Sequence, residues 1–228
     1  MFPLNDTEPN RYNGLPSMTL AIICLNVLVF VLEPFMIKGS RMYLYILYGS
    51  SPYLILTQQG SGAISSITST FLHADLWHLT SNMLALWVFA RRVEDACGPW
   101  RFLCFYLTCG LCADILSTIV RANSAIPGIG ASGAVFGLMG AYLLLFPGGR
   151  IRTLVILWIV PTFPKIPAFW VTLYFLAVQV VPAINVVLHN EDYRINYWAH
   201  VGGFLGGLLV FCFLRPEAFA RYMNDTPV

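Results

Sequence analysis

GIGASGAVFGLMGAYLLLF, residues 128–146, carries no charge and places Ser132 at the head of an apolar helical run. Tyr197-Trp198-Ala199-His200-Val201-Gly202-Gly203 opens a second such run and carries His200. Both read as membrane spans. A polar side chain at membrane depth is costly, so an ionisable one there marks a functional site. A nucleophile type in one span and a base type in another point to acyl-transfer chemistry inside a bilayer.

The composition agrees with that setting. Of 228 residues, 57% are hydrophobic and 11% charged, against roughly 25% charged in a soluble domain. Too little charge remains to cover a water-facing surface, so the chain reads as an all-α, multi-pass membrane protein. A net charge of +2 is too small to suggest nucleic acid. Cys24, Cys97, Cys104, Cys109, Cys112 and Cys212 are scattered over the spans and one short loop, not arranged as a disulfide framework. Cys109-Gly110-Leu111-Cys112 has redox-type spacing but sits mid-helix, where small residues also serve helix contacts. Leu15–Leu32 is uncharged, Arg11 is the only basic residue before it, and no small-x-small cleavage site follows it. It reads as a retained first span rather than a signal peptide.

Six spans are expected, at about 16–33, 76–91, 99–121, 131–146, 167–188 and 196–214. Short polar tails, 1–15 and 215–228, flank this single compact bundle. Residues 33–69 are aromatic and Gly/Ser-interrupted, and read as a long, partly helical interfacial first loop. Ile151–Val160 is apolar but only ten residues long, so it reads as re-entrant or interfacial. On the side of the termini lie Arg11, Arg91, Arg92, Arg101, Arg150, Arg152, Lys165, Arg215 and Arg221. Lys38, Arg41, Arg121 and Arg194 lie opposite. The positive-inside rule then makes the termini cytoplasmic and places Ser132 and His200 toward the outer side, at similar depth.

Serine needs a base to take its proton as it attacks. His200 is the only histidine in the fourth to sixth spans, and its helix carries no acidic residue before Glu217. A Ser-His dyad is therefore expected, its imidazole oriented by packing or by another group. His200, Gly203 and Gly207 share one helical face, widened by Gly202 and Gly206; Gly133, Gly137 and Gly140 form a similar strip after Ser132. Facing strips of this kind let helices approach closely. Ser132 also reads, more simply, as a helix cap. His78 and Asn82 share a face of the second span, with His73 just before it. Asn82 and the Ser132 backbone N–H supply donors for an oxyanion, with His78 as a further candidate. The alternative, zinc on His73, His78 and His200, lacks the H-E-x-x-H arrangement.

Gly130-Ala131-Ser132-Gly133, Ala199-His200-x-x-Gly203-x-x-x-Gly207 and His73-x-x-x-x-His78-x-x-x-Asn82 together resemble the signatures of rhomboid intramembrane serine proteases. Pro3-Leu4-Asn5-Asp6, Val93-Glu94-Asp95 before Gly98, and Gly140-Ala141-Tyr142 before Phe146-Pro147 are similar to bacterial members. The resemblance implies Ser132 as nucleophile, His200 as general base, and His78, Asn82 and the Ser132 amide as oxyanion donors. Gly130, Gly133, Gly203 and Gly207 would support them. Phe136 stands where relatives carry an aromatic that packs on the histidine. Transmembrane protein substrates and the lipid bilayer are the implied partners, with no cofactor, no metal and a bacterial inner-membrane location. The first loop has Arg41 but lacks the tryptophan many members pair with it, and Asp114, inside the third span, has no assigned role. Two other readings are a catalytically silent rhomboid-like binder of membrane proteins, and a small transporter with His200 and Asp114 as proton relays.

Overall fold

The computed structural model describes residues 1–9, 14–36, 40–59, 62–189 and 195–214. Expectations that rest on Arg11, Lys38, Arg194 and residues 215–228 lie outside these. Strand β1 (Phe2–Asp6) opens the chain and is followed by α1 (Ser17–Met36). The first loop folds into α2 (Arg41–Tyr48), α3 (Pro52–Leu56) and α4 (Ser65–Thr68), with 3-10 turns at Gly62–Ile64 and Ser69–Phe71. Then come α5 (Leu76–Cys97), α6 (Pro99–Val120) and α7 (Ser132–Leu145). Strands β2 (Arg150–Leu157), β3 (Val160–Thr162) and β4 (Lys165–Pro167) precede α8 (Ala168–His189) and α9 (Tyr197–Leu214).

Local chemistry sets the boundaries that position the site. Asp75 caps α5, its carboxylate accepting the His78 N–H at 2.8 Å. Gly98, at φ 79°, ends α5, and Pro99 begins α6 at the position that suits a residue without an N–H. Helices α1, α6 and α8 are each long and apolar enough to cross a bilayer; at 22 residues, α8 is about 33 Å long. Helix α5 matches them in length, but its last two turns carry Arg91, Arg92, Glu94 and Asp95. Helix α7 has only 14 residues.

Glycine governs the packing. Helix α9 lies between α6 and α7. A Cβ built on Gly203 would sit 1.9 Å from the Gly133 carbonyl oxygen, and one on Gly207 2.2 Å from that of Gly137. Gly202 and Gly206 do not widen this strip. They face α6, where a Cβ would lie 2.7 Å from Leu116 Cβ and 2.3 Å from Cys112 Cβ, respectively. Cys109, in turn, lies over Gly137 of α7. The two cysteines thus serve different helix contacts, and the bare backbones come close enough for dispersion to hold the helices together.

The expectation of an all-α chain needs one correction. β1, β2 and β3 lie in that order in an antiparallel sheet, with β4 also paired to β2. The run expected to be re-entrant or interfacial supplies β2, and the N-terminal stretch read as a tail supplies β1, paired from Phe2 opposite Leu154 to Asp6 opposite Ile151 with a one-residue register shift between Pro3 and Asn5. Isoleucine, threonine and valine suit a pleated surface, and buried Ile151 and Thr153 alternate with exposed Arg150 and Arg152. The Asp6 carboxylate accepts hydrogen bonds from Arg91 and Arg92, pinning β1 to the end of α5. Glu94 completes the other half of this junction. It accepts the backbone N–H groups of Met18 and Thr19 at 2.9 and 2.8 Å, and the Thr19 hydroxyl at 2.7 Å, so a carboxylate caps the N-terminus of α1.

Candidate active site

Ser132 is the first residue of α7 and His200 lies in the first turn of α9. The Gly133–Gly203 contact brings these two helix ends together. Ser132 Oγ and His200 Nε2 are 2.7 Å apart. On the other side of the imidazole, His200 Nδ1 lies 2.7 Å from Gln179 Oε1 on α8. An amide oxygen can only accept, so Nδ1 carries the proton and the Nε2 lone pair faces the serine hydroxyl. The Phe136 ring stacks on the imidazole, centroids 4.7 Å apart and planes 15° apart. Both flanks and one face of the ring are therefore fixed.

The opposite wall comes from α5. The Ala74 N–H points at His78 Nδ1 (3.4 Å), which leaves Nε2 as the protonated nitrogen. Gly130, at φ 114°, occupies backbone space closed to other residues. A Cβ there would lie 2.7 Å from His78 Nε2 and 3.8 Å from Ser132 Oγ. The absent side chain keeps open a small space that both groups border. Asn82, on the same face of α5, is buried and donates one N–H to the His78 carbonyl at 2.8 Å; its amide has a second N–H to offer. The Ser132 N–H has no intrahelical partner, because it lies in the first turn of its helix. His73 is fully buried beside His78, ring centroids 5.0 Å apart. Burial, reinforced by His78, holds its imidazole down at about 4, so His73 is neutral at pH 7. Its ring packs edge-on against that of His78.

A Rhomboid domain model matches residues 61–217, more than half of the chain. The chain belongs to the rhomboid family. It is 34% identical over 150 residues to Rhomboid protein 1, mitochondrial, of Saccharomyces cerevisiae, covering 64% of this chain and 40% of that one. It is 29% identical over 198 residues to Rhomboid protease GluP of Bacillus subtilis, covering 86% and 34%. It is 26% identical over 207 residues to Presenilin-associated rhomboid-like protein, mitochondrial, of Homo sapiens, covering 90% and 50%. This rhomboid thus spans between a third and a half of the length of these relatives. Both its family and its apolar helices make it a membrane protein.

Two features of the rhomboid site escape sequence reasoning. Gln179 is the first: one of two side-chain amides in the apolar α8, with Asn185, it lies three residues before Pro182, and spacing does not fix its direction. The second is the scaffold behind Gly130. Asp114, unassigned from sequence, accepts hydrogen bonds from the Ser50 and Ser66 hydroxyls and so ties the first loop to α6. Ser50 then pairs with Gly128 through two backbone hydrogen bonds, 2.9 and 2.7 Å, and the Gly130 N–H donates to the Ser69 carbonyl at 2.8 Å. The first loop thereby holds the segment that leads into Ser132.

Proposed function

We propose that this rhomboid is an intramembrane serine endopeptidase that cuts peptide bonds in or near transmembrane segments of other proteins. The observation that carries the proposal is the hydrogen-bonded line Ser132–His200–Gln179. Ser132 Oγ attacks the scissile carbonyl while His200 Nε2 takes its proton. The C–N bond then breaks as the same nitrogen returns the proton to the leaving amine. Water, deprotonated by His200, next attacks the acyl-enzyme and frees the new carboxyl terminus and the serine. His78 Nε2 and Ser132 Oγ border the space beside Gly130, and in this reading the oxyanion forms there, with His78 Nε2–H, the second Asn82 N–H and the Ser132 N–H as its donors. A transmembrane helix hides its carbonyls in its own hydrogen bonds, so the substrate must unwind locally first.

In this reading α1, α5, α6, α7, α8 and α9 all cross the bilayer, the termini are cytoplasmic and the site opens to the outer side of a bacterial inner membrane. The geometry favours an enzyme over a silent binder, because nucleophile and base are both present and in contact. The engagement of Asp114 by two serine hydroxyls speaks against a proton relay through that residue.

The test is cleavage of a labelled transmembrane substrate by the reconstituted protein. Wild type cuts it; equal cutting by Ser132→Ala would reject the mechanism. Asn82→Ala is expected to lower kcat by about 10²–10³-fold, and an unchanged kcat would remove Asn82 from the oxyanion site. Gln179 is a positioning residue. Gln179→Met, nearly isosteric but without the carbonyl, is expected to lower kcat about ten-fold, the worth of one hydrogen bond near 1.4 kcal/mol, with KM unchanged. Gln179→Glu keeps an acceptor and restores most of the rate. Equal rates for wild type and Gln179→Met would show that the imidazole is oriented without it.

A further inference from the structure

We propose that the β2–β3 hairpin is a membrane-interface anchor, its tip, Leu157-Trp158-Ile159-Val160, seated among the lipid headgroups of the bilayer that α8 enters. The backbone gives the first reason. Leu157 pairs with Val160, so Trp158 and Ile159 form a two-residue turn, and Trp158 has φ 60°. Turns of this kind favour Asn-Gly or Asp-Gly, which tolerate positive φ. A tryptophan there is an outlier on local grounds, and such an outlier points to a use for the side chain.

Exposure gives the second reason. Near its base the hairpin alternates like a sheet on a protein core, with Ile151 and Thr153 fully buried. Toward the tip the alternation stops. Ile156, Leu157 and Val160 are more than half exposed, Ile159 is 90% exposed and Trp158 99%. A contiguous apolar tip with both faces bare marks an interaction surface.

Charge and continuity name the occupant. Arg150, Arg152 and Lys165 are exposed at the base of the hairpin, and the Arg152 guanidinium lies over the Phe163 ring, 5.7 Å from its centroid. Cations beside an apolar, tryptophan-bearing tip match anionic headgroups above acyl chains. Strand β4 runs directly into α8, a helix apolar enough to span, whose first turn exposes Phe169 and Trp170. The hairpin therefore leaves the bundle where the chain meets the bilayer, at the end of α7 remote from Ser132. Seated in the headgroups, it would fix the depth of the first turn of α8, the helix that carries Gln179.

The test uses the full chain in nanodiscs of phosphatidylcholine and phosphatidylglycerol, in the Ser132→Ala background so that its outcome does not depend on protease activity. Subtracting the emission of Trp158→Phe isolates the Trp158 contribution. We expect bromine placed near the headgroup end of the acyl chains to quench most of that contribution, and aqueous iodide to quench little of it. Changing Arg150, Arg152 and Lys165 to Gln should weaken the lipid quenching, more so with phosphatidylglycerol than with phosphatidylcholine alone. Quenching by iodide but not by bromolipid would place the tip in water and overturn the proposal. Protection from both quenchers would place it against protein, a second copy or another segment of this chain, and would also overturn it.

Discussion

Ser132→Ala is expected to abolish cleavage, with kcat falling by roughly 10⁴–10⁶-fold while the protein folds and binds substrate as before. The serine Oγ lies 2.7 Å from His200 Nε2, the proposed general base. Alanine removes the proposed nucleophile without disturbing the Gly133–Gly203 packing beneath it. His200→Ala should cost about as much, because a serine without its base is a poor nucleophile. The double variant should be scarcely worse than either single one, since members of one catalytic unit do not contribute additively. Single-turnover rates on a reconstituted transmembrane substrate measure this. Additive losses would mean that the two residues act independently.

Gly203→Ala carries the second largest expected effect, and it acts on stability and activity together. The new Cβ would lie 1.9 Å from the Gly133 carbonyl oxygen and 2.7 Å from its carbon. Both are backbone atoms, so no side chain can swing aside. Helices α7 and α9 must part by more than about 1 Å to restore an ordinary contact, and overpacking that moves backbone costs about 1–3 kcal/mol or more. The same separation lengthens the Ser132–His200 hydrogen bond, so activity should fall further than the loss of folded protein explains. Gly148→Ala is the control, because a Cβ there meets nothing within 4 Å. Thermal unfolding in detergent, read beside kcat on the folded fraction, measures both effects. An unchanged Tm for Gly203→Ala would mean that the two helices are not in backbone contact.

The places of helices α1, α5, α6, α7, α8 and α9, the candidate pair Ser132 and His200, and the facing glycines Gly133, Gly137, Gly203 and Gly207 are legible in the sequence because each follows from local pattern. Apolar runs need about 20 residues to cross, and glycines at i, i+3 and i+7 share a face. What was not legible depends on contacts between distant segments. Strand β2 is a short apolar run that periodicity alone does not separate from a helical piece, and its partner, Phe2–Asp6, lies some 145 residues earlier without a strand signature. That Gly202 and Gly206 face α6 follows only once α9 is known to be wedged between two helices. Gln179 carries one signal, a polar side chain inside a candidate span. Its aim at His200 Nδ1 depends on how α8 rotates against α9. Asp114 carries the same signal, and its partners, Ser50 and Ser66, sit in a loop whose path the sequence leaves open. The Val93-Glu94-Asp95 and Asn5-Asp6 motifs, legible as patterns, take their physical meaning from the structure: Glu94 caps α1 and Asp6 holds β1 to α5.

The central claim is that Ser132 is a nucleophile activated by His200. It is tested most directly by treating the protein, reconstituted in lipid, with a fluorophosphonate probe and mapping the modified peptide by mass spectrometry. One adduct is expected, on Ser132, lost in Ser132→Ala, nearly lost in His200→Ala and retained in Gly148→Ala. Equal labelling of wild type and His200→Ala, or an adduct on any other serine in place of Ser132, would contradict it.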